Sequence, residues 1–348
     1  MKLKEYNDKI DVIIPAYNVP DKILSRCLAS IAMQECIDDV EVTIVDDAST
    51  EENYEKVAEK FSGIMKTNVL HMEVNGGPGV ARQYGLDHTN NGLITFVDAD
   101  DTLANAFALS IMKLVISNGD AAIAICNFDE VRENEGDIFF MPHEDDDVWV
   151  FGKMYRRDFI DENKIRFHPT SRANEDNGFN KICKFCSMKS NRGISVGYRT
   201  VYYWHFTNES ITRSNNFQYE FGISTRDSFY GFVENMIYAC KYAKEHDILF
   251  FSHEETTDEF ILRTMCYCFI HYTKAKDLHP KNAEKTLEYY KMFYDEIFKS
   301  VENSFDEEQI KKTIHNVFKN EYVKNGMIGV EPSITFNQFL VKLKFEVQ

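Results

Sequence analysis

No apolar run in this chain approaches the roughly 18 residues that a membrane-spanning helix needs. Its opening, MKLKEYNDKIDVIIPAYN, lacks the apolar core and cleavage site of a secretory leader. Positive charge is scarce: 39 Lys and Arg against 56 Asp and Glu leave a formal net charge of −17. These absences set the expectation of a soluble, cytoplasmic protein with no transmembrane segment. The acidity argues against stable nucleic acid binding, although it leaves room for a local basic groove. The eight cysteines are scattered through 348 residues and form no disulfide framework. Cys183 and Cys186 make a CxxC, half of a zinc site or a redox pair, but no second CxxC supplies two further ligands. At helical spacing, two packed thiols are the simpler reading. The turn at Gly76–Gly79 lacks the third glycine of GxGxxG, because Arg82 stands there, so a dinucleotide-binding loop fits poorly.

What is present is a globular composition, 44% hydrophobic, long enough for two domains with their own cores. The first 130 residues alternate short apolar runs with amphipathic stretches. Strands are expected at 11–18, 40–49, 68–75, 92–101 and 121–131. Helices are expected at 21–34, 50–61 (with Thr50 as cap), 77–89 and 102–119. This alternation predicts an α/β fold with a mainly parallel sheet. Ligands of such sheets sit beyond the carboxyl ends of the strands. Tyr17, Asn18, Asp46, Asp47, Asn75, Asp98 and Asp100 all fall at such ends. From about residue 215 long helical patterns rich in Phe and Tyr take over. The expected division is an α/β domain over 1–213 and an α-helical C-terminal domain over 214–348, for ligand binding or self-association into a homo-oligomer.

The stretch ITFVDADDTL runs an apolar strand into Asp98, Asp100 and Asp101. Carboxylates at a strand end are costly to desolvate unless a cation pairs with them. In extended chain Asp98 and Asp100 point the same way, and two oxygen donors on one side suit Mg²⁺ or Mn²⁺. Diphosphate oxygens would fill the open positions. The alternative is a solvated acidic turn capping the next helix, a role expected of Asp101.

The DxD does not stand alone. VIIPAYN, TIVDDAST, NGGPGVARQYGL, FVDADD, GKMYRRDFIDENKIRF, NEDNGF and VYYWHFTNESIT occur in that order between residues 10 and 213. Together they resemble the family 2 glycosyltransferases, inverting GT-A-fold enzymes that use nucleotide-sugars. Two positions depart from the family pattern: Gln83 replaces the usual Asn, and His205 the usual Arg.

The resemblance implies roles. Asp47 would contact uracil, and Pro15, Ala16, Tyr17 and Asn18 would line base and ribose. Asn75, Gly77, Arg82, Asp98, Ala99 and Ser210 complete the nucleotide-sugar site. Arg82 would offer its donor fork to an anion or base edge, a surface salt bridge being the alternative. Asp100 and Asp98 would hold Mn²⁺ or Mg²⁺. His205 would be a third metal ligand, a phosphate contact, or a satisfied histidine beside aromatic neighbours. Asp176 would be the base and Glu175 would orient the acceptor; the alternative is Asn174 capping a helix with two acids in its first turn. PHEDDD (142–147) reads as a solvated acidic loop.

The expected function is metal-dependent transfer of a sugar from a nucleotide-sugar, UDP-linked by preference, to a glycan or polymer acceptor. A catalytically inactive GT-A scaffold and a nucleotidyltransferase are the competing readings.

Overall fold

Ile10, Val12, Ile13 and Ile14 have no exposed surface, so the strand Ile10–Ala16 (β1) is covered on both faces. Such an unbroken buried run belongs in the middle of a parallel sheet. In the computed structural model, which describes residues 7–134, 136–206, 226–278, 280–319 and 332–345, β1 takes that place. It pairs in parallel with Val40–Asp46 (β2) on one side and Leu93–Phe96 (β4) on the other; Lys66–His71 (β3) lies outside β2. The chain divides into two compact units, Met1–Ser210 and Ile211–Gln348.

The remaining strands of the first unit are Thr102–Leu103 (β5), Ile123–Asn134 (β6), Asp137–His143 (β7), Lys153–Arg156 (β8) and Ile194–His205 (β9). The order is β3-β2-β1-β4-β8-β6-β9-β5, with β7 beside β6. Strands β1, β2, β3, β4, β6 and β9 run one way, while β5, β7 and β8 run the other. The mainly parallel expectation therefore holds for direction. The sheet is nevertheless mixed, because β8 is inserted antiparallel between β4 and β6.

The helices are Asp21–Ala32 (α1), Tyr54–Glu59 (α2), Pro78–Asp87 (α3), Ala108–Ile116 (α4), Arg157–Glu162 (α5) and Glu175–Ser190 (α6). Helix α3 lies close over β1 and β2: a Cβ on Gly85 would come within 2.5 Å of Ile13 Cγ2 and 3.1 Å of Val45 Cγ2. Two boundaries differ from expectation. The helix expected from residue 102 begins at Ala108, because Thr102 and Leu103 pair with Tyr203 and Tyr202. The cap of α2 is Asn53, whose side chain accepts the Lys56 N–H, while Thr50 N–H donates to Asn18 Oδ1. Cys183 and Cys186 are buried free thiols within α6, as packing residues are.

The second unit holds Arg226–Glu245 (α7), the short strands Phe250–Ser252 (β10) and Glu255–Thr256 (β11), then Thr257–Leu278 (α8), Pro280–Glu296 (α9), Glu307–Phe318 (α10) and Phe336–Phe345 (α11). Much of its aromatic content forms a core. Tyr272, Tyr290 and Phe339 are buried together, with ring centroids 5.4–6.0 Å apart. Among the described residues no helix is long and apolar enough to cross a membrane.

Candidate active site

The sheet brings the ends of β1, β2 and β4 side by side, and with them the polar residues that follow. After β1, Asn18 takes a positive φ of 50°, and its N–H donates to Ser49 Oγ. After β2 the two aspartates divide their work. Asp46 accepts the Ser49 N–H on Oδ1 (2.9 Å) and pairs with His71 Nδ1 through Oδ2 (2.9 Å). That bond, with a second to Glu55, raises the His71 pKa. Asp47 instead reaches across to the turn before α3. Its oxygens accept the N–H groups of Gly76 (2.7 Å) and Gly77 (2.8 Å), and Asn75 Nδ2 donates to its backbone carbonyl. Burial raises the Asp47 pKa and the two glycine N–H groups oppose that rise. Gly77 has φ of 88°, which a side chain rarely adopts, and its bare α-carbon lets the stem of Arg172 lie against it.

Asp98–Asp101 does not continue β4. It is a turn, closed by Asp101 N–H donating to Asp98 O, so Asp98 and Asp100 are not alternate residues of an extended strand. Asp101 does not cap a helix either. It is 1% exposed, and it accepts from Tyr202 Oη at 2.6 Å and from His205 N–H at 2.8 Å. Tyr202 Oη also accepts the Asp98 N–H. The pairing of β5 with β9 makes this possible, since it sets the aromatic strand beside the acidic turn. Burial, followed by Asp100 and Asp98, holds the Asp101 carboxyl well above its usual range. From the other side Arg26 of α1 donates to Asp100 O.

His205 exchanges a hydrogen bond with Thr102 through Nε2 (2.9 Å). Burial, then the charge of Arg26, pushes its pKa down to about 4. The ring is therefore neutral at pH 7, the form that can offer a lone pair to a metal. Among the described residues no three or more His, Cys, Asp or Glu side chains already form a metal cage. Carboxylates and a neutral imidazole are the donor types that suit a hard cation taking its other ligands from phosphate, the role expected of Asp98, Asp100 and His205.

Arg82 joins this turn to α6. It is 3% exposed, which excludes the surface salt-bridge reading. One terminal nitrogen donates to Asp98 Oδ1 (2.6 Å) and the other to Glu175 Oε1 (2.7 Å). Burial alone would lower its pKa; Asp98, Glu175 and Asp176 more than reverse this, so the guanidinium stays charged. Gly79 lets the two helices meet here, because a Cβ would fall 2.6 Å from Glu175 Cγ.

Asn174 stands at the N-cap of α6 in the left-handed conformation. Asp176, one residue beyond Glu175, is partly exposed and accepts the Asn177 N–H at 2.8 Å. Loss of solvent, followed by the neighbouring charge of Glu175, pushes its pKa up to about 8.

The structure thus brings Asp98, Arg82, Glu175 and Asp176 together, and sets Asp47, Asn75 and Gly77 in a second cluster. Ser210 lies outside the described residues. Gln83 accepts from Phe167 N–H and donates to Asp87, so this departure serves the packing of α3.

Arg172 was missed from sequence. Its guanidinium donates to Asn75 Oδ1 (2.9 Å) and Asn75 O (2.8 Å), tying the residues before α6 to the glycine turn. The acidic stretch before β8 is also more than a solvated loop. Asp146 accepts the N–H groups of Val148 and Trp149, and Asp147 pairs with Lys181 and Lys184 of α6 at 3.0 Å each. Those lysines outweigh burial and hold the Asp147 carboxyl well below its usual range. A separate groove of about 830 Å³, with Glu41, Thr43 and Asn68 among its lining residues, contains none of the motif acids of the two clusters.

Residues 11–182 match the family described as Glycosyl transferase family 2. This part of the chain belongs to that family. The chain is 33% identical over 157 residues to glycosyltransferase GlyA of Streptococcus pneumoniae, an alignment covering 43% of this chain and 22% of the relative. It is 27% identical over 244 residues to the poly(ribitol-phosphate) beta-glucosyltransferase of Bacillus spizizenii, covering 67% of this chain and 37% of that one. The chain therefore spans well under half the length of these two relatives. Among solved structures, S. aureus TarS 1–349 in complex with UDP-GlcNAc superposes with a TM-score of 0.64 at 20% identity, covering 91% of this chain and 92% of that one. The fold is the GT-A fold.

Proposed function

We propose that the chain is a metal-dependent inverting glycosyltransferase that moves a sugar from a UDP-sugar to a hydroxyl of a glycan or polymer. The observation that supports this most is the Asp98–Arg82–Glu175 bridge, which sets the acidic turn and the start of α6 in one site with Asp176 partly open to solvent. In this reading Asp47, Pro15, Ala16, Tyr17, Asn18, Asn75 and Gly77 receive the nucleotide, and Ala99 and Ser210 adjoin the donor sugar and phosphates. A divalent cation held by Asp100, Asp98 and His205 would neutralise charge on the leaving diphosphate.

Asp176 takes the proton of the acceptor hydroxyl. The acceptor oxygen forms its bond to the anomeric carbon while the bond from that carbon to the diphosphate oxygen breaks. The electron pair leaves with UDP, so the anomeric configuration inverts. Glu175 is occupied by Arg82, and its part is to hold the helix start in register with the turn. A carboxyl with its pKa near the operating pH is a competent base, since it both accepts the proton readily and is ionised in a useful fraction.

TarS, which shares the fold, has been captured with UDP and with UDP-GlcNAc, so UDP-GlcNAc is the first donor to try. The name of the Bacillus spizizenii relative makes a polyol-phosphate polymer one acceptor class to test. The test is release of free nucleotide from a panel of UDP-, GDP- and dTDP-sugars with and without Mn²⁺. Metal-dependent release from a UDP-sugar supports the reading. A protein that neither binds UDP by calorimetry nor turns over any donor is a scaffold, and the reading fails.

A further inference from the structure

The chain has only two tryptophans, and the fold sets them against each other. Trp149 and Trp204 meet edge to face, with centroids 4.8 Å apart, and both are partly exposed. They come from different elements: Trp204 from β9, one residue before His205, and Trp149 from the segment leading into β8. The pair belongs to an aromatic cluster with Phe128, His143 and Phe151, in which Phe128 and Phe151 are buried and both tryptophans keep exposed surface. We propose that Trp149 and Trp204 form the platform on which a sugar ring of the acceptor rests. The proposal builds on the transferase reading above and names what that reading leaves open, the site that holds the acceptor.

Contacts tie the pair to both halves of the site. Toward the acidic turn, Phe151 stands 5.9 Å from Trp149 and 6.0 Å from Trp204, and stacks on Tyr202 at 4.9 Å and 12°. Tyr202 is the residue whose hydroxyl binds Asp101 and Asp98. Toward the base, Lys153 donates to Trp149 O, and its buried ammonium lies within electrostatic reach of Asp176. The Trp149 segment is also pinned to α6, the helix that opens with Glu175 and Asp176, through Asp147 with Lys181 and Lys184. Asp146 fixes its backbone by accepting the Trp149 N–H at 2.8 Å.

An aromatic pair held this rigidly is preorganised: little side-chain entropy remains to be lost on binding. Its broad apolar faces suit the C–H faces of a pyranose, whose hydroxyls point outward at the ring edge. Such a surface gives contact area to a ring and much less to an open polyol chain. The occupant is therefore a sugar ring next to the hydroxyl that reacts.

Tryptophan emission of the whole chain reports on this pair alone, because there is no third tryptophan. The 348-residue chain, with UDP and Mg²⁺ present, is titrated with cellotetraose, chitotetraose and maltotetraose, and separately with a ribitol-phosphate tetramer. A saturable change with a ring-bearing probe is expected, and it should vanish in Trp149→Ala. With that probe as acceptor, Trp149→Ala should raise KM by about tenfold, the equivalent of ~1.4 kcal/mol, and by more than it lowers kcat. Trp149→Phe, which keeps a ring, should recover most of the loss. Calorimetric UDP binding checks that each variant is folded and tests the transferase reading separately. Emission that no ring-bearing probe moves, or that moves only with the ribitol-phosphate tetramer, overturns the platform while leaving UDP binding intact.

Discussion

Arg82 and Glu175 lie 93 positions apart in the chain and are joined by a 2.7 Å ion pair that is almost wholly buried. The second arm of the same guanidinium holds Asp98. One side chain therefore sets the spacing between the turn that would bind the leaving diphosphate and the helix that would carry the base.

Replacing Arg82 by Met should leave Glu175 as an uncompensated buried carboxylate. Breaking a buried pair in this way costs about 3–5 kcal/mol. Urea unfolding is expected to show a loss of that order, and activity should disappear. Arg82→Lys restores the charge but not the two-armed geometry, so it should recover stability in part and activity hardly at all.

The Asp176 carboxyl, raised to about 8, gives a pH dependence of definite sign. The base must be ionised, so kcat/KM should fall by about tenfold per pH unit below that value. Stability should run the opposite way. Between the usual 3.8 and about 8 the folded state binds more protons than the unfolded state, so stability declines as pH rises through that window. Asp176→Asn should flatten this decline. Thermal unfolding of both proteins between pH 5 and pH 9 measures it; a wild type that gains stability across that window contradicts the assignment of the raised carboxyl.

Tyr202→Phe removes the hydroxyl that donates to Asp101 and accepts from Asp98 N–H. The buried Asp101 carboxyl is left short of a donor, a loss of about 1–3 kcal/mol. Metal affinity, followed by Mn²⁺ titration, should weaken in the same variant, because the turn carrying Asp98 and Asp100 loses its anchor.

Gly79→Ala adds a methyl that would fall 2.6 Å from Glu175 Cγ. Alanine improves helix propensity by about 1 kcal/mol, but overpacking at a tight contact costs about 1–3 kcal/mol. The net effect should be a small destabilisation with a larger drop in activity, since the displaced residue is next to Asp176. Urea midpoints and initial rates on the same preparation separate the two effects.

The nucleotide half of the fold was legible because its signals are local. Apolar runs marked β1, β2 and β4, and the residues that follow them had to sit at one sheet edge. Asp101 shows where that legibility ended. As a residue just before an expected helix it reads as a cap, yet Tyr202 and His205, more than 100 positions away, claim it. The β5–β9 pairing that delivers them leaves no periodic trace in a two-residue strand. Asp147 was misread for the same reason: its lysine partners lie on a helix more than 30 positions on. Arg172 carried no motif at all, and only the closeness of Asn75 gives it a role.

The most direct test of the account is one pair of measurements on Asp176→Asn: calorimetric UDP affinity with Mg²⁺, and turnover of the UDP-sugar that the wild type uses. The account predicts UDP affinity close to wild type and a fall in kcat of about 10²–10⁴-fold, the share a general base contributes. Turnover near the wild-type rate would contradict the account, because Asp176 could not then be the base.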